Sequence, residues 1–189
     1  KSAKRVQPPL PPRPLNMYYD RGSSTYTRIA FAGSVGHITS HAPQPNYAFN
    51  LEQDMLATNV MLDSGVPHVY LPGYHVGAQL RLTYPEVERY VAGRGAIGTY
   101  LHHLYTNNPL WELFGIYSLY AHSWVIWDMI AIAWLLNPAW VPSDLTPTPM
   151  LGADRRWRND PARHPQREAY AVQRDAIFAD FFRKLEAAP

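Results

Sequence analysis

One carboxylate in this chain stands where a carboxylate is expensive. Asp128 lies within the run from Ser123 to Pro138, whose interior is otherwise Trp, Val, Ile, Met, Ala and Leu. An ionised carboxylate buried in such a helix must be paired, hydrogen-bonded or metal-bound, because bare burial of the charge is too costly. Three roles follow: a calcium ligand, a catalytic base, or a carboxylate near a helix start held by free backbone amides and the helix dipole. Trp127 directly precedes it.

The remaining reactive residue types are less concentrated. His102 and His103 are adjacent, and neighbouring helical positions point in different directions, which is poor ligand spacing. They and the lone His68 and His75 read as surface or core histidines. His122, just upstream of the Trp127 helix, has the alternative role of an acid toward a leaving base. Trp111, Trp124, Trp134, Trp140 and Trp157 read as packing residues. Arg155, Arg156 and Arg158 form either an anion site or a solvated loop. With no cysteine in the chain, disulfides, thiolate metal sites and cysteine nucleophiles are excluded. A net charge of +2 makes no case for nucleic acid.

The elements that must position these groups follow from patterning. A length of 189 residues with 47% hydrophobic and 13% aromatic content supports a packed core in one domain or a large part of one. The opening Lys-Ser-Ala-Lys-Arg is basic and does not begin with methionine. It is compatible with a processed product, a fragment or an incompletely recorded start, and with the remnant of an organelle-targeting region. An intracellular, organellar (mitochondrial) setting is the corresponding expectation. Gln7 to Pro14 is a proline-rich arm that must stay extended, as a linker or as a peptide docked on a partner.

Residues 28–33 predict a short buried strand, 34–48 a loop, 51–64 a helix stopped by Gly65, and 66–71 a second strand. That order is a βαβ unit in a parallel sheet. Thr83 and Glu86 have capping-box spacing at the head of a helical stretch over 84–106, which Gly93, Gly95 and Gly98 divide. A helix is predicted over 124–136, a long loop over 142–166 and an amphipathic helix over 172–186. Residues 113–136 also have the length of a membrane span, although Asp128 within it costs about 2.5–3.5 kcal/mol on insertion. A buried helix of an α/β domain explains the run equally well.

Trp127-Asp128-Met129-Ile130-Ala131, continuing to Leu135-Leu136-Asn137-Pro138, resembles a motif of the inosine/uridine-preferring nucleoside hydrolase family, in which an aspartate opens an apolar helix that ends at a proline. The resemblance implies that Asp128 ligates calcium. It also implies that Trp127, at the position that is tryptophan in the purine-preferring branch, stacks on the nucleobase. Ile29-Ala30-Phe31-Ala32-Gly33-Ser34 is similar to the family strand ending in Met-Gly-Gly. Ala48-Phe49-Asn50, Asp54 and Asp63-Ser64-Gly65-Val66-Pro67 resemble Glu-Phe-Asn, the Asp of Asp-Pro-Glu-Ala and the Ser-Gly-Val-Pro strand entry, which implies a ribose contact for Asn50. Residues 170–178 are similar to the closing strand and helix.

Departures accompany these matches, which keep their order across about residues 28–185. The family's N-terminal cluster D-x-D-x-x-x-D-D is absent: no two of the nine aspartates lie closer than five residues. The ribose-binding glutamate is Ala48, and the methionine before the glycine pair is Ala32. For the loop asparagine, Asn46 and His37 are only nearby candidates. Calcium takes about six to eight oxygen ligands, which one aspartate and one asparagine do not supply.

The expected fold is therefore α/β, a parallel-sheet nucleoside hydrolase-like fold truncated at its N-terminal side, with residues 1–27 as the arm and 28–189 as the domain. The expected function is a non-catalytic accessory subunit of a larger assembly, covered by a protein partner and needing no cofactor on its own. The alternative is half of a calcium-dependent purine nucleoside N-ribohydrolase completed by another chain, with Trp127 and Asn50 binding substrate and Asp128 binding Ca2+. A further alternative is a membrane-associated subunit using residues 113–136.

Overall fold

The computed structural model describes residues 31–33, 48–73, 75–113 and 122–188. The proline-rich arm, the first half of the expected 28–33 strand, the 34–47 loop with His37 and Asn46, and residues 114–121 of the candidate membrane segment lie outside them.

Strand β1 (Phe31–Gly33) pairs in parallel with β2 (His68–Tyr70), and helices α1 (Phe49–Gln53) and α2 (Met55–Asp63) lie between them in sequence, as a βαβ unit requires. The single helix expected over 51–64 is two. Asp54 takes an extended backbone (φ −160°, ψ 92°) and its side chain accepts the Ala57 N–H at 2.7 Å. An N-cap needs non-helical dihedrals, so the residue that starts α2 also ends α1. Gly65, at φ +71°, closes α2 as expected.

Beyond β2 the chain forms β3 (Arg81–Thr83), α3 (Tyr84–Tyr90), α4 (Gly95–Thr106) and α5 (Leu110–Leu113). The Thr83/Glu86 capping box is present, with Pro85 in the first turn. Gly93 and Gly95, at φ +70° and +64°, separate α3 from α4.

Two expectations fail beyond residue 120. The helix predicted over 124–136 begins only at Met129 (α6, Met129–Leu136), because Ser123–Val125 is strand β4, antiparallel to β3. Trp124 and Val125 are good strand formers, and a short apolar run does not distinguish strand from buried helix until a partner ladder exists. The predicted loop over 142–166 is instead β5 (Ser143–Pro147), β6 (Met150–Leu151), β7 (Trp157–Arg158) and the start of β8 (Pro165–Ala169). Prolines disguised these strands. Pro147 and Pro165 face each other at the end of the β5–β8 ladder, where a missing N–H is tolerated. The closing strand consequently ends at Ala169 rather than beginning at Tyr170, and α7 (Arg174–Glu186) follows.

The main sheet has the order β1-β2-β8-β5, parallel except for the β5 edge. Val69 and Leu71 join a core with Leu80, Val87, Ile130, Trp134, Ile177 and Phe178. Tyr70, on the opposite face, joins a smaller core with Ala48, Leu51, Leu62 and Leu151. Helices thus cover both faces of β2, as parallel strands require. Among the described residues no helix is long and apolar enough to cross a membrane.

Arg174 ties the elements of the larger core together. It donates to the Arg81 carbonyl at 2.7 Å and to both Glu86 carboxylate oxygens at 2.7 Å, and its guanidinium lies 4.6 Å from the centre of the Phe178 ring. Burial opposes ionisation of Glu86, yet Arg174 and the Thr83 donors together hold its carboxyl below the usual range. A depressed carboxyl contributes stability in full above the ordinary carboxylate range, and loses it as pH falls through its own lower value. Denaturant unfolding across pH is expected to show this loss below about pH 4, with a shallower acid limb in Glu86→Gln. At neutral pH, Thr83→Ala is expected to cost about 1 kcal/mol and Phe178→Ala about 3–5 kcal/mol in the same assay.

Candidate functional site

The Trp127–Asp128 turn is anchored by backbone hydrogen bonds. Ile126 N–H donates to the Leu80 carbonyl at 2.9 Å, and Met129 N–H returns to the Ile126 carbonyl at 3.3 Å. Asp128 is the N-cap of α6, but its side chain makes no capping hydrogen bond and it stands exposed. The buried-carboxylate argument therefore does not apply to it, and neither does the reading in which helix amides hold it. The buried stripe of α6 is Ile130, Ala133 and Trp134, and the cap position lies outside that stripe.

Trp127 is 41% exposed. Its indole lies beside Gly77, where an added Cβ would sit 3.8 Å from Trp127 Cε3 and 3.7 Å from the Pro72 carbonyl oxygen. The short 3₁₀ turn Gly77–Gln79 thus forms one wall of the indole's seat.

Asn50 sits exposed on α1, one residue after the equally exposed Phe49, while Ala48 is buried in the smaller core. Asn50 and Asp128 therefore belong to elements packed on opposite faces of the sheet. Among the described residues, no group of three or more His, Asp or Glu side chains is placed to hold a metal ion. Calcium's need for about six to eight oxygens is not met by Asp128 and Asn50, and the described residues do not fit that ion.

His68, His102 and His122 take structural places. His122 is buried with its ring centroid 4.5 Å from Trp111, 5.0 Å from Tyr84 and 5.6 Å from Tyr105. Tyr105 donates to the Leu82 carbonyl at 2.8 Å, and burial pushes its phenol up to about 12. His68 Nε2 meets Gln166 Oε1 at 2.8 Å inside the protein. His102 pairs with Glu88 at 2.6 Å, linking α4 to α3. Trp111 and Trp134 are buried, and Trp124, Trp140 and Trp157 pack on the two cores. Within the arginine run, Arg155 pairs with Glu52 and Arg158 with Asp154.

Sequence reasoning missed Gly77 beside the indole, and it missed a second concave feature. A cleft of about 400 Å³ at the C-terminal ends of β2 and β8 is lined by Pro72, His75, Asp144, Thr146, Glu168 and Tyr170, with neither Trp127 nor Asp128 in its wall. The alternation Gln166, Glu168, Tyr170 was the available signal, hidden by reading residues up to 166 as loop.

No protein-family model matches the sequence, and no curated protein does. Solved structures do match. A plant nucleoside hydrolase superposes with a TM-score of 0.60 at 15% identity, covering 77% of this chain and 48% of its own. The purine-preferring ribonucleoside hydrolase from Gardnerella vaginalis superposes with a TM-score of 0.63 at 19% identity, covering 82% of this chain and 50% of its own. The chain thus spans about half the length of each structure. Identities this low speak for architecture alone, and at that level the resemblance to the C-terminal part of the family holds: the chain has the nucleoside hydrolase fold.

Proposed function

We propose that this chain is a nucleoside hydrolase-like subunit that does not cleave nucleosides by itself and serves as an accessory, structural component of a larger assembly. The observation that carries the reading is that, among the described residues, no group of three or more His, Asp or Glu side chains is placed to hold a metal ion, at Asp128 or elsewhere. Cleaving an N-glycosidic bond passes through an oxocarbenium-like sugar, which needs an activated water and a clamp on the ribose hydroxyls. Asp128 stands exposed at a helix cap, and the ribose-glutamate position is Ala48, packed against Leu51 and Leu62. The outward stripe Ile132, Leu135 and Leu136 on α6 supports a partner, since contiguous exposed apolar surface marks interaction sites.

One observation favours the second reading, half of a calcium-dependent purine nucleoside N-ribohydrolase completed by another chain. Trp127, partly exposed, directly precedes the exposed Asp128. That pair would stack on a flat base and contribute one carboxylate to a metal site whose other ligands come from elsewhere.

Calorimetric titration with calcium and ribose release from inosine separate the two. The purified chain is expected to show no saturable calcium heat and no ribose release, and Asp128→Asn is expected to leave stability within about 0.5 kcal/mol, as for an uninvolved surface position. Calcium-dependent ribose release that disappears in Asp128→Asn would instead establish the enzymatic reading.

A further inference from the structure

The cleft at the ends of β2 and β8 is built on a row of polar residues across three strands. Glu168 on β8 is register partner to Asp144 on β5 and to Tyr70 on β2. Directly paired residues project from the same face of a sheet, and like charges directly opposite repel. Asp144 and Glu168 are such a pair, and neither enters an ion pair among the described residues. The nearest arginine in sequence, Arg167, alternates to the other face and donates to the Ser143 carbonyl at 3.0 Å. Thr146 donates to Glu168 at a long 3.5 Å.

The same face holds polar atoms that the fold has not used. Tyr70 is 3% exposed, and its hydroxyl has no hydrogen-bond partner among the described residues. Burial first, and then the Glu168 carboxylate, push its phenol well up, so it remains a neutral donor. Gln166 Nε2 and Thr148 Oγ1, both fully buried, are likewise without partners. At the rim, Tyr170 presents an exposed aromatic ring beside the cleft.

We propose that this cleft binds a small organic cation, a primary ammonium or diamine, with its charged nitrogen between Asp144 and Glu168 and its alkyl stem along the Tyr170 ring. The charge supplies what the carboxylate pair lacks, and an aromatic face attracts a cation. A cleft of about 400 Å³ is the size of a small-molecule site and far larger than a bare ion. A hard metal ion would need more oxygen ligands than two carboxylates provide, and no three-member ligand group exists among the described residues. The inference is independent of the nucleoside reading, since Trp127 and Asp128 do not line the cleft.

Proton linkage gives the site a signature. Burial raises Glu168 to about 7 against the lowering effect of Thr146. An ammonium prefers the ionised carboxylate, so affinity rises as pH increases through that value and levels above it. The other titratable groups at this face are Asp144, Tyr70, His68 with His164 packed on its ring, Tyr170, and His75 on the loop after β2. Glu168→Gln isolates the contribution of that carboxyl from those of its neighbours.

Calorimetric titration of the whole chain with 1,4-diaminobutane between about pH 6 and pH 8 tests the proposal. Saturable binding is expected, tightening about tenfold across that range, one unit of linked ionisation. Glu168→Gln and Asp144→Asn should each weaken it by about tenfold or more, the loss that follows removal of one partner from a charge pair, and Glu168→Gln should flatten the pH profile. Tyr170→Ala, at an exposed position where folding is not at stake, should weaken binding several-fold. Thermal melts of the variants establish that each is folded. The proposal is overturned by absence of saturable binding, by equal binding in the folded Glu168→Gln protein, by a pH profile that persists in it, or by magnesium competing at concentrations equal to the diamine.

Discussion

Strand β2 is covered on both faces, and most of the architecture follows from that constraint. Val69 and Leu71 face one way and His68 and Tyr70 the other, and all four are buried. A strand rises with its side chains alternating, so burying both sets demands a layer on each side. α1 and α2 supply one layer, and α3, α6 and α7 supply the other. β1 and β8 then satisfy the backbone groups of β2 in parallel on either side.

The two faces differ in chemistry. One is largely apolar, with His122 buried among its aromatic rings, and is fastened at its rim by Arg174, which joins α7, α3 and β3 through Glu86 and the Arg81 carbonyl. The other mixes a small apolar core with His68, Gln166, Thr148, Glu168 and Asp144. Buried polar groups are costly unless paired. The His68–Gln166 hydrogen bond accounts for two of them, while Tyr70, Thr148 and the Gln166 amide nitrogen are left with polar capacity near the acidic cleft.

The fold of this chain does not by itself fix its chemistry. Its backbone superposes on nucleoside hydrolases over about half of their length, and a fold hosts many activities, so function has to be argued from a site. At the Trp127–Asp128 turn a partly exposed indole precedes an exposed carboxylate, and among the described residues no group of three His, Asp or Glu side chains is placed to hold a metal ion. At the β2–β8 ends it assembles a carboxylate pair whose members lie 24 residues apart in sequence and face each other only because β5 folds back on β8.

What the sequence determined by itself was local. The Thr83/Glu86 cap, the Gly65 stop, the glycine break between α3 and α4, the α7 stripe and the βαβ order were legible, because each depends on dihedral preference or periodicity within a few residues. The order of the Trp127-Asp128, Phe49-Asn50 and closing-helix motifs carried the fold resemblance. Tertiary structure alone decided the rest. Whether Ser123-Trp124-Val125 became strand or helix depended on β3, 42 residues upstream by the Leu82–Trp124 pairing. The proline-rich stretch after residue 142 became sheet because an edge strand tolerates missing donors. Asp128, conspicuous among apolar neighbours in sequence, proved exposed. Glu168, inconspicuous in sequence, was placed in a partly buried row beside another carboxylate. Burial and strand register are set by distant partners, and no window of sequence contains both sides of a ladder.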